Sequence, residues 1–229
     1  MLYEYQKIAD SYKLTPSENQ SAIKKFVKKY KKALTNTLVF TIALIGGYFG
    51  YTELYQKPRE AKAADALFTA EKYFAVDSSN FVLNGDGTNK GALYVIKEFG
   101  GTKSANLAKY YAGISYYRLG EYNKSIELLK DFSTSAKQVQ AIAFGTIGDA
   151  YADLKKNDEA IEFYKKAGAH FPEDEAISAE YLFRAAAFLE LNGKNDEAIA
   201  IYKDIKTKYP KTEKGFMADK YIYRLQVQP

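Results

Sequence analysis

The chain has 229 residues, of which 47% are hydrophobic and 27% charged, a globular composition with apolar content for one or two cores. It has no Cys, which excludes disulfide frameworks, thiolate metal sites and a cysteine nucleophile. A single His, His170, excludes multi-histidine metal sites and most histidine acid–base pairs, and Trp is absent while Tyr and Phe number 21 and 14.

The formal charge of +5 is confined to one end. Residues 1–32 carry eight Lys against Glu4, Asp10 and Glu18, whereas residues 52–229 carry 25 basic and 25 acidic side chains. Nucleic-acid binding needs a basic footprint on a folded face, and the larger part of the chain has no net charge to provide one. No nucleic-acid partner is expected.

The 20 residues Ala33 to Thr52 contain no charge. As a helix they cover about 30 Å, the thickness of a bilayer hydrocarbon core. Leu38 to Ile45 form the most apolar run, Thr35-Asn36-Thr37 suit one headgroup layer, and Tyr48 and Tyr51 suit the other. Gly46, Gly47 and Gly50 are candidate contacts for a partner helix in the membrane, since small residues permit close approach. A buried helix of a soluble domain fits poorly, because Lys24, Lys25, Lys28, Lys29, Lys31 and Lys32 abut the run without matching acids. A cleaved signal peptide also fits poorly, because the nearest small-residue site, Ala61-Lys62-Ala63, lies too far beyond it. The positive-inside rule predicts a cytoplasmic N-terminus and a translocated C-terminal part, periplasmic in a diderm bacterium, since Lys57, Arg59 and Lys62 are offset by Glu53, Glu60 and Asp65. Pro58 is expected to kink or break the exit from the span.

Beyond Glu60, apolar residues recur at three- and four-residue spacing between short turns, the pattern of paired helices. Residues 53–103 read as a degenerate pair, with helices over 59–76 and 91–99 and a loop from Ser78 to Lys90 between them. The clearest repeat is Asn157-Asp158-Glu159-Ala160-Ile161 against Asn195-Asp196-Glu197-Ala198-Ile199. Its Asn is expected to cap a helix and its acids to complement the helix dipole. One copy reads Phe144, Ile147, Gly148, Tyr151, then Ala160, Tyr164, Ala167 and Pro172. The next reads Leu182, Ala185, Ala186, Leu189, Gly193, then Ala198, Tyr202, Ile205 and Pro210. The one before reads Ala112, Gly113, Tyr116, Gly120, then Ser125, Leu129 and Phe132. Small residues let paired backbones approach while Tyr, Phe and Leu fill the gap to the next pair.

This pattern resembles the tetratricopeptide-repeat family over residues 105–210. The expected fold is all-α: a single N-terminal transmembrane helix, then a tetratricopeptide-type α-solenoid of about four helix pairs and a capping helix. The expected divisions are a Lys-rich cytoplasmic tail at 1–32, the span at 33–52, the degenerate pair at 53–103, three repeats at 104–212 and the cap at 213–229. The departures are Phe144 and Leu182 where the family has Trp, and an interval from Gly148 to Ala186 of 38 residues rather than 34, which points to a longer connection or first helix.

Little here could carry chemistry. The loop Asn84-Gly85-Asp86-Gly87-Thr88-Asn89 suggests a calcium loop, but Val95 stands where the twelfth-position Glu belongs. The same glycines lack the Gly-Lys-Ser/Thr ending of a phosphate loop. His170, at a helix end, suits the terminal carbonyls better than catalysis. No nucleophile–base–orienter set is visible, so neither an enzyme, a cofactor, a metal nor a small-molecule substrate is expected.

What remains is surface. The family resemblance implies a concave face lined by first helices, here Leu107, Tyr110, Ile114 and Tyr117, then Ile142 and Asp149, then Phe183, Ala187 and Glu190. Glu180 lies on the same face, and Gly145 and Ala152 occupy positions without large side chains. Such a groove is expected to be aromatic and mildly acidic, although Tyr110 and Phe183 could equally pack in the core. The lysine tail, span and repeat stack together resemble the YfgM family of ancillary Sec translocon subunits. That resemblance implies an inner-membrane interaction protein, with translocon subunits, a periplasmic chaperone, emerging polypeptides and membrane lipid as partners. The alternative is a structural scaffold in cell-wall or outer-membrane assembly.

Overall fold

The computed structural model describes residues 16–227; residues 1–15 of the Lys-rich tail, with Lys7 and Lys13, lie outside the described residues. The chain divides into two compact units at Lys57–Pro58.

The first unit is helix α1, Pro16–Tyr51, followed by one π-helical turn, Thr52–Gln56. It holds the stretch that is long and apolar enough to cross a membrane. Its large apolar side chains are exposed, Phe40 at 64% and Ile42 at 60%. A helix that exposes such residues has its buried environment elsewhere than in its own fold. Inside the run, the Thr41 hydroxyl donates to the Thr37 carbonyl at 2.9 Å, which keeps that polar group satisfied without water.

Helix α2, Lys57–Ala75, opens the second unit. Of the kink or break expected at Pro58, the break does not occur. Pro58 follows a π turn that carries a Lys57 N–H to Thr52 carbonyl bond, and helical residues continue on both sides of it. The wider turn eases the clash a proline ring makes with the carbonyl four residues back.

The remaining helices are α3 Ser79–Asn84, α4 Ala92–Glu98, α5 Lys103–Arg118, α6 Tyr122–Lys130, α7 Lys137–Asp153, α8 Asn157–His170, α9 Glu175–Leu191, α10 Asn195–Lys208 and α11 Glu213–Val227. One turn design joins each first helix to its second. Asp77, Gly120, Lys155 and Gly193 adopt φ of 56°, 78°, 60° and 71°. After each of them an N–H bonds five residues back: Ser78 to Tyr73, Glu121 to Tyr116, Lys156 to Tyr151 and Lys194 to Leu189, all at 2.9 Å. This is the left-handed helix stop that satisfies terminal carbonyls. Four such turns make four helix pairs, and α11 packs on α10 and α9 through Gly215, Ala218, Ile222 and Leu225.

The turn also corrects the reading of the first pair. Residues 79–84, expected as loop, form α3, which buries Val82 and Leu83. The second helix of this pair is therefore split into α3 and α4. The intervening loop is pinned by an antiparallel bridge between Gly85 and Lys90.

Two further expectations change. Asn157 and Asn195 begin α8 and α10 but do not cap them; the capping positions are Lys156 and Lys194, without side-chain cap bonds. Asn157 instead donates to the Asn192 side chain at 2.9 Å, joining one turn to the next. The extra residues between Gly148 and Ala186 lie in α8, 14 residues long against nine in α6, and not in a first helix or a connection.

Close approach of each pair rests on small residues. A Cβ at Gly113 would lie 2.6 Å from Leu129, and one at Gly148 would lie 2.7 Å from the Tyr164 ring. Ala186 and Tyr202 are fully buried in the last pair. Three adjoining clusters result, around Leu67 and Val95, around Leu129, Ile147 and Tyr164, and around Leu189, Tyr202 and Ile205.

The start of the stack is clamped from α2. The Glu60 carboxylate accepts from the Lys103 N–H at 2.7 Å, the Ser104 N–H at 2.9 Å and the Ser104 hydroxyl at 2.6 Å, at the N-terminus of α5. Burial pushes this carboxyl up, but those hydrogen bonds outweigh it and hold it below its ordinary value of 4.5. The contribution is therefore complete above pH 4.5 and lost as pH falls through the lower folded value. Replacing Glu60 by Ala should cost about 1–2 kcal/mol at neutral pH, the usual cost of a lost helix cap. That difference should shrink on acidification below the glutamate range, as measured by urea unfolding of both chains across pH.

Candidate functional site

The first helices α5, α7 and α9 carry the residues expected on the concave face, and the structure sorts them into three groups. On α5, Ile114 belongs to the core, with 7% exposure beside Leu129 and Ile147. It is not an accessible contact. Tyr110 is half-buried against Phe132 at 5.2 Å and Phe74 at 6.2 Å, and burial raises its phenol. Leu107, also half-buried, lines two open clefts of about 580 Å³ and 520 Å³, one toward Phe132 and Val139 and one toward Phe68 and Glu71.

The second group gathers around Asp149 of α7. Its carboxylate accepts from the Tyr164 hydroxyl and from Arg184 of α9, both at 2.7 Å. Arg184 also donates to Glu180 at 2.8 Å, and Lys214 of α11 meets Glu180 at 3.3 Å. Burial pushes the Glu180 carboxyl up, and Arg184 with Lys214 more than reverses it. Tyr117 sits within the field of Asp149; burial and then Asp149 and Asp153 push its phenol up to about 12. Ile142 and Ala187 are half-buried on the same helices.

The third group turns toward the end of the stack. Glu190 accepts from the Tyr202 hydroxyl at 2.6 Å and pairs with Arg224 of α11. Phe183 stands edge-on to Tyr202 and Tyr221, at 5.1 Å and 4.8 Å, with Lys214 over its ring. Phe183 is thus packed on one side and part-exposed on the other.

The same clasp thus occurs twice. A first-helix carboxylate is held by the Tyr of its own second helix and by the Arg of the next helix in the stack: Asp149 by Tyr164 and Arg184, Glu190 by Tyr202 and Arg224. The expectation of a mildly acidic groove is corrected accordingly, because Asp149, Glu180 and Glu190 each meet a cation from the neighbouring layer. These carboxylates are therefore paired within the stack.

Profiles of the tetratricopeptide repeat match residues 107–135, 141–167 and 180–212. These segments are tetratricopeptide repeats. No curated protein matches the chain.

The repeats' own sequence pattern does not point to Arg184, Tyr181, Lys214 or Arg224, which organise this face. The four-residue spacing of Glu180 and Arg184 was the available signal, since it places an ion pair on one helix side. Tyr181 lies over Gly145, where a Cβ would come within 2.1 Å of its ring, and stacks on Tyr164 at 6.5 Å. Burial and then Asp149 push its phenol up to about 12. His170 ends α8, and its ring meets Phe144 edge-on at 5.3 Å.

The calcium-like loop is filled by the chain's own donors. Asp86 accepts from the Asn89 N–H at 2.7 Å, the Thr88 N–H and the Asn89 amide at 2.9 Å, and the Tyr73 hydroxyl at 3.0 Å. The bonds from Asn89 hold its carboxyl well below the usual carboxylate range. Among the described residues, no cluster of three or more His, Asp or Glu is placed to hold a metal ion. In the membrane-candidate helix, a Cβ at Gly46, Gly47 or Gly50 would meet nothing within 4 Å.

Arg184 links two repeats, so its loss should be felt between them. Arg184→Gln should lower stability by about 1 kcal/mol, between the small worth of exposed ion pairs and the larger worth of charged hydrogen bonds. Arg184→Lys should recover only part of this, because an ammonium lacks the planar fork that reaches both carboxylates. Urea midpoints of the three chains provide the measurement.

Proposed function

We propose that the protein is a membrane-anchored interaction module that performs no reaction of its own. The observation that carries this reading is the combination of three tetratricopeptide repeats with an N-terminal helix apolar enough to cross a bilayer. The repeats supply a rigid, curved aromatic face suited to other proteins. The six lysines before the apolar run favour a cytoplasmic N-terminus and a periplasmic repeat domain in a bacterial inner membrane. In the membrane, Gly46, Gly47 and Gly50 offer a flat surface to a neighbouring helix.

Architecture likens the chain to YfgM-type ancillary subunits of the Sec translocon. On this reading the repeat face receives a periplasmic chaperone or an emerging polypeptide, while the span keeps it beside translocon subunits. Leu107 and Tyr117 are contact positions of choice, since both are only part-buried and Leu107 lines open clefts, whereas Ile114 is buried.

A photoreactive side chain at Leu107 or Tyr117 in the full chain, irradiated in intact cells, should capture translocon subunits, a periplasmic chaperone or a secreted polypeptide. Capture of cell-wall or outer-membrane assembly proteins would overturn the translocon reading, as would recovery of self-dimers alone. A C-terminal tag labelled from the cytosol would overturn the orientation.

A further inference from the structure

The segment before the apolar run is not a plain charged tail. It is helical from Pro16 onward, continuous with α1. At 100° per residue, Ile23, Phe26, Val27, Tyr30 and Leu34 fall within an arc of about 100°, while Lys24, Lys25, Lys28, Lys29, Lys31 and Lys32 occupy about 160° on the opposite side. The apolar side chains are bare: Ile23 is 61% exposed and Phe26 is 57% exposed. Phe26 and Tyr30 lie together with ring centroids 4.8 Å apart, and the Lys29 ammonium lies 5.3 Å from the Tyr30 ring.

We infer that this segment is a second membrane-binding element, an in-plane amphipathic helix that docks on acidic phospholipid headgroups of the leaflet its own span enters. The inference rests on reading α1 as membrane-spanning. Three features select the lipid surface as occupant. The sequence between Glu18 and Glu53 holds no acid, so the six lysines have no counter-charge of their own. An anionic headgroup layer supplies it. A second copy of the chain would instead set two such lysine arrays side by side.

The apolar arc also ends at Leu34, against the first residues of the run, so the segment is held at the headgroup layer by the chain itself. Finally, α1 is 36 residues long, about 54 Å at 1.5 Å per residue and well beyond a hydrocarbon core of about 30 Å. The excess falls on this amphipathic stretch. A bend at Thr35-Asn36-Thr37 lays it along the surface. There the Thr35 hydroxyl already bonds to the Lys31 carbonyl at 2.8 Å, a back-bond that softens and bends helices. The apolar arc then enters the acyl boundary, and the lysines at its margins, Lys24, Lys29 and Lys31, extend to phosphates.

Because the chain has no Trp, one substitution gives a clean reporter. Phe26→Trp in the full chain is placed in phosphatidylcholine nanodiscs, with or without phosphatidylglycerol, made from lipids brominated near the headgroup. With phosphatidylglycerol, its emission should shift to the blue and be quenched severalfold, and Lys24, Lys25, Lys28 and Lys29→Gln together should abolish both effects. Emission that stays solvent-like in the acidic discs overturns the inference, as does equal quenching without phosphatidylglycerol. A blue-shifted but unquenched Trp, shielded by protein, overturns it in favour of a helix partner. Val39→Trp, within the span and read against acyl-chain bromines, separates the two readings. It should be quenched in both compositions, and failure there removes the span itself.

Discussion

The architecture hangs on how closely two helices of a pair can approach. In the second repeat, the Tyr164 ring lies on Gly148, with no room for a Cβ between them. A tyrosine held flat in this way has its hydroxyl fixed in direction, and here it points at Asp149, 2.7 Å away. Asp149 then takes Arg184 from the next layer, and Arg184 takes Glu180. One glycine therefore sets the geometry of a polar chain that crosses from repeat to repeat. The last pair makes a like clasp with Tyr202, Glu190 and Arg224, there with Ala186 in the place of the glycine.

These clasps bear on function because they decide what the concave face can offer. Carboxylates that meet an arginine or lysine of the adjacent layer are poor attractors for a basic ligand. Aromatic edges and half-buried aliphatic side chains remain, and they bind by area and shape. In the first repeat, Leu129 stands where the later repeats have Tyr164 and Tyr202. The clasp is missing there, and Leu107 lines open clefts instead.

The repeats were legible in the sequence because sterics repeats itself: Gly or Ala opposite Ser or Ala, then a bulky residue, at constant spacing along the chain. The solenoid and its cap follow from that pattern, and the apolar run of α1 is legible separately, from 20 residues without a charge. The helix-joining turns were only partly visible. Gly120 and Gly193 announce a left-handed residue, but Asp77 and Lys155 adopt the same conformation without glycine. That concealment is why α3 reads as loop. The charge pairing was invisible for another reason. Asp149 and Arg184 are 35 positions apart, and only stacking of the layers brings them together. Family positions name first-helix residues but not how their side chains pack: Ile114 is buried in the core, and Phe183 stands edge-on to Tyr202 and Tyr221.

A double-mutant cycle on the full chain, pairing Gly148→Ala with Tyr164→Phe and read by urea unfolding, tests the dependence of the clasp on the glycine most directly. If Gly148 acts by seating Tyr164, the added methyl displaces the ring and its hydrogen bond together. The two substitutions should then be clearly sub-additive, with a coupling energy of about 1 kcal/mol or more. Strict additivity would show that the seat and the clasp are independent, and would contradict the account.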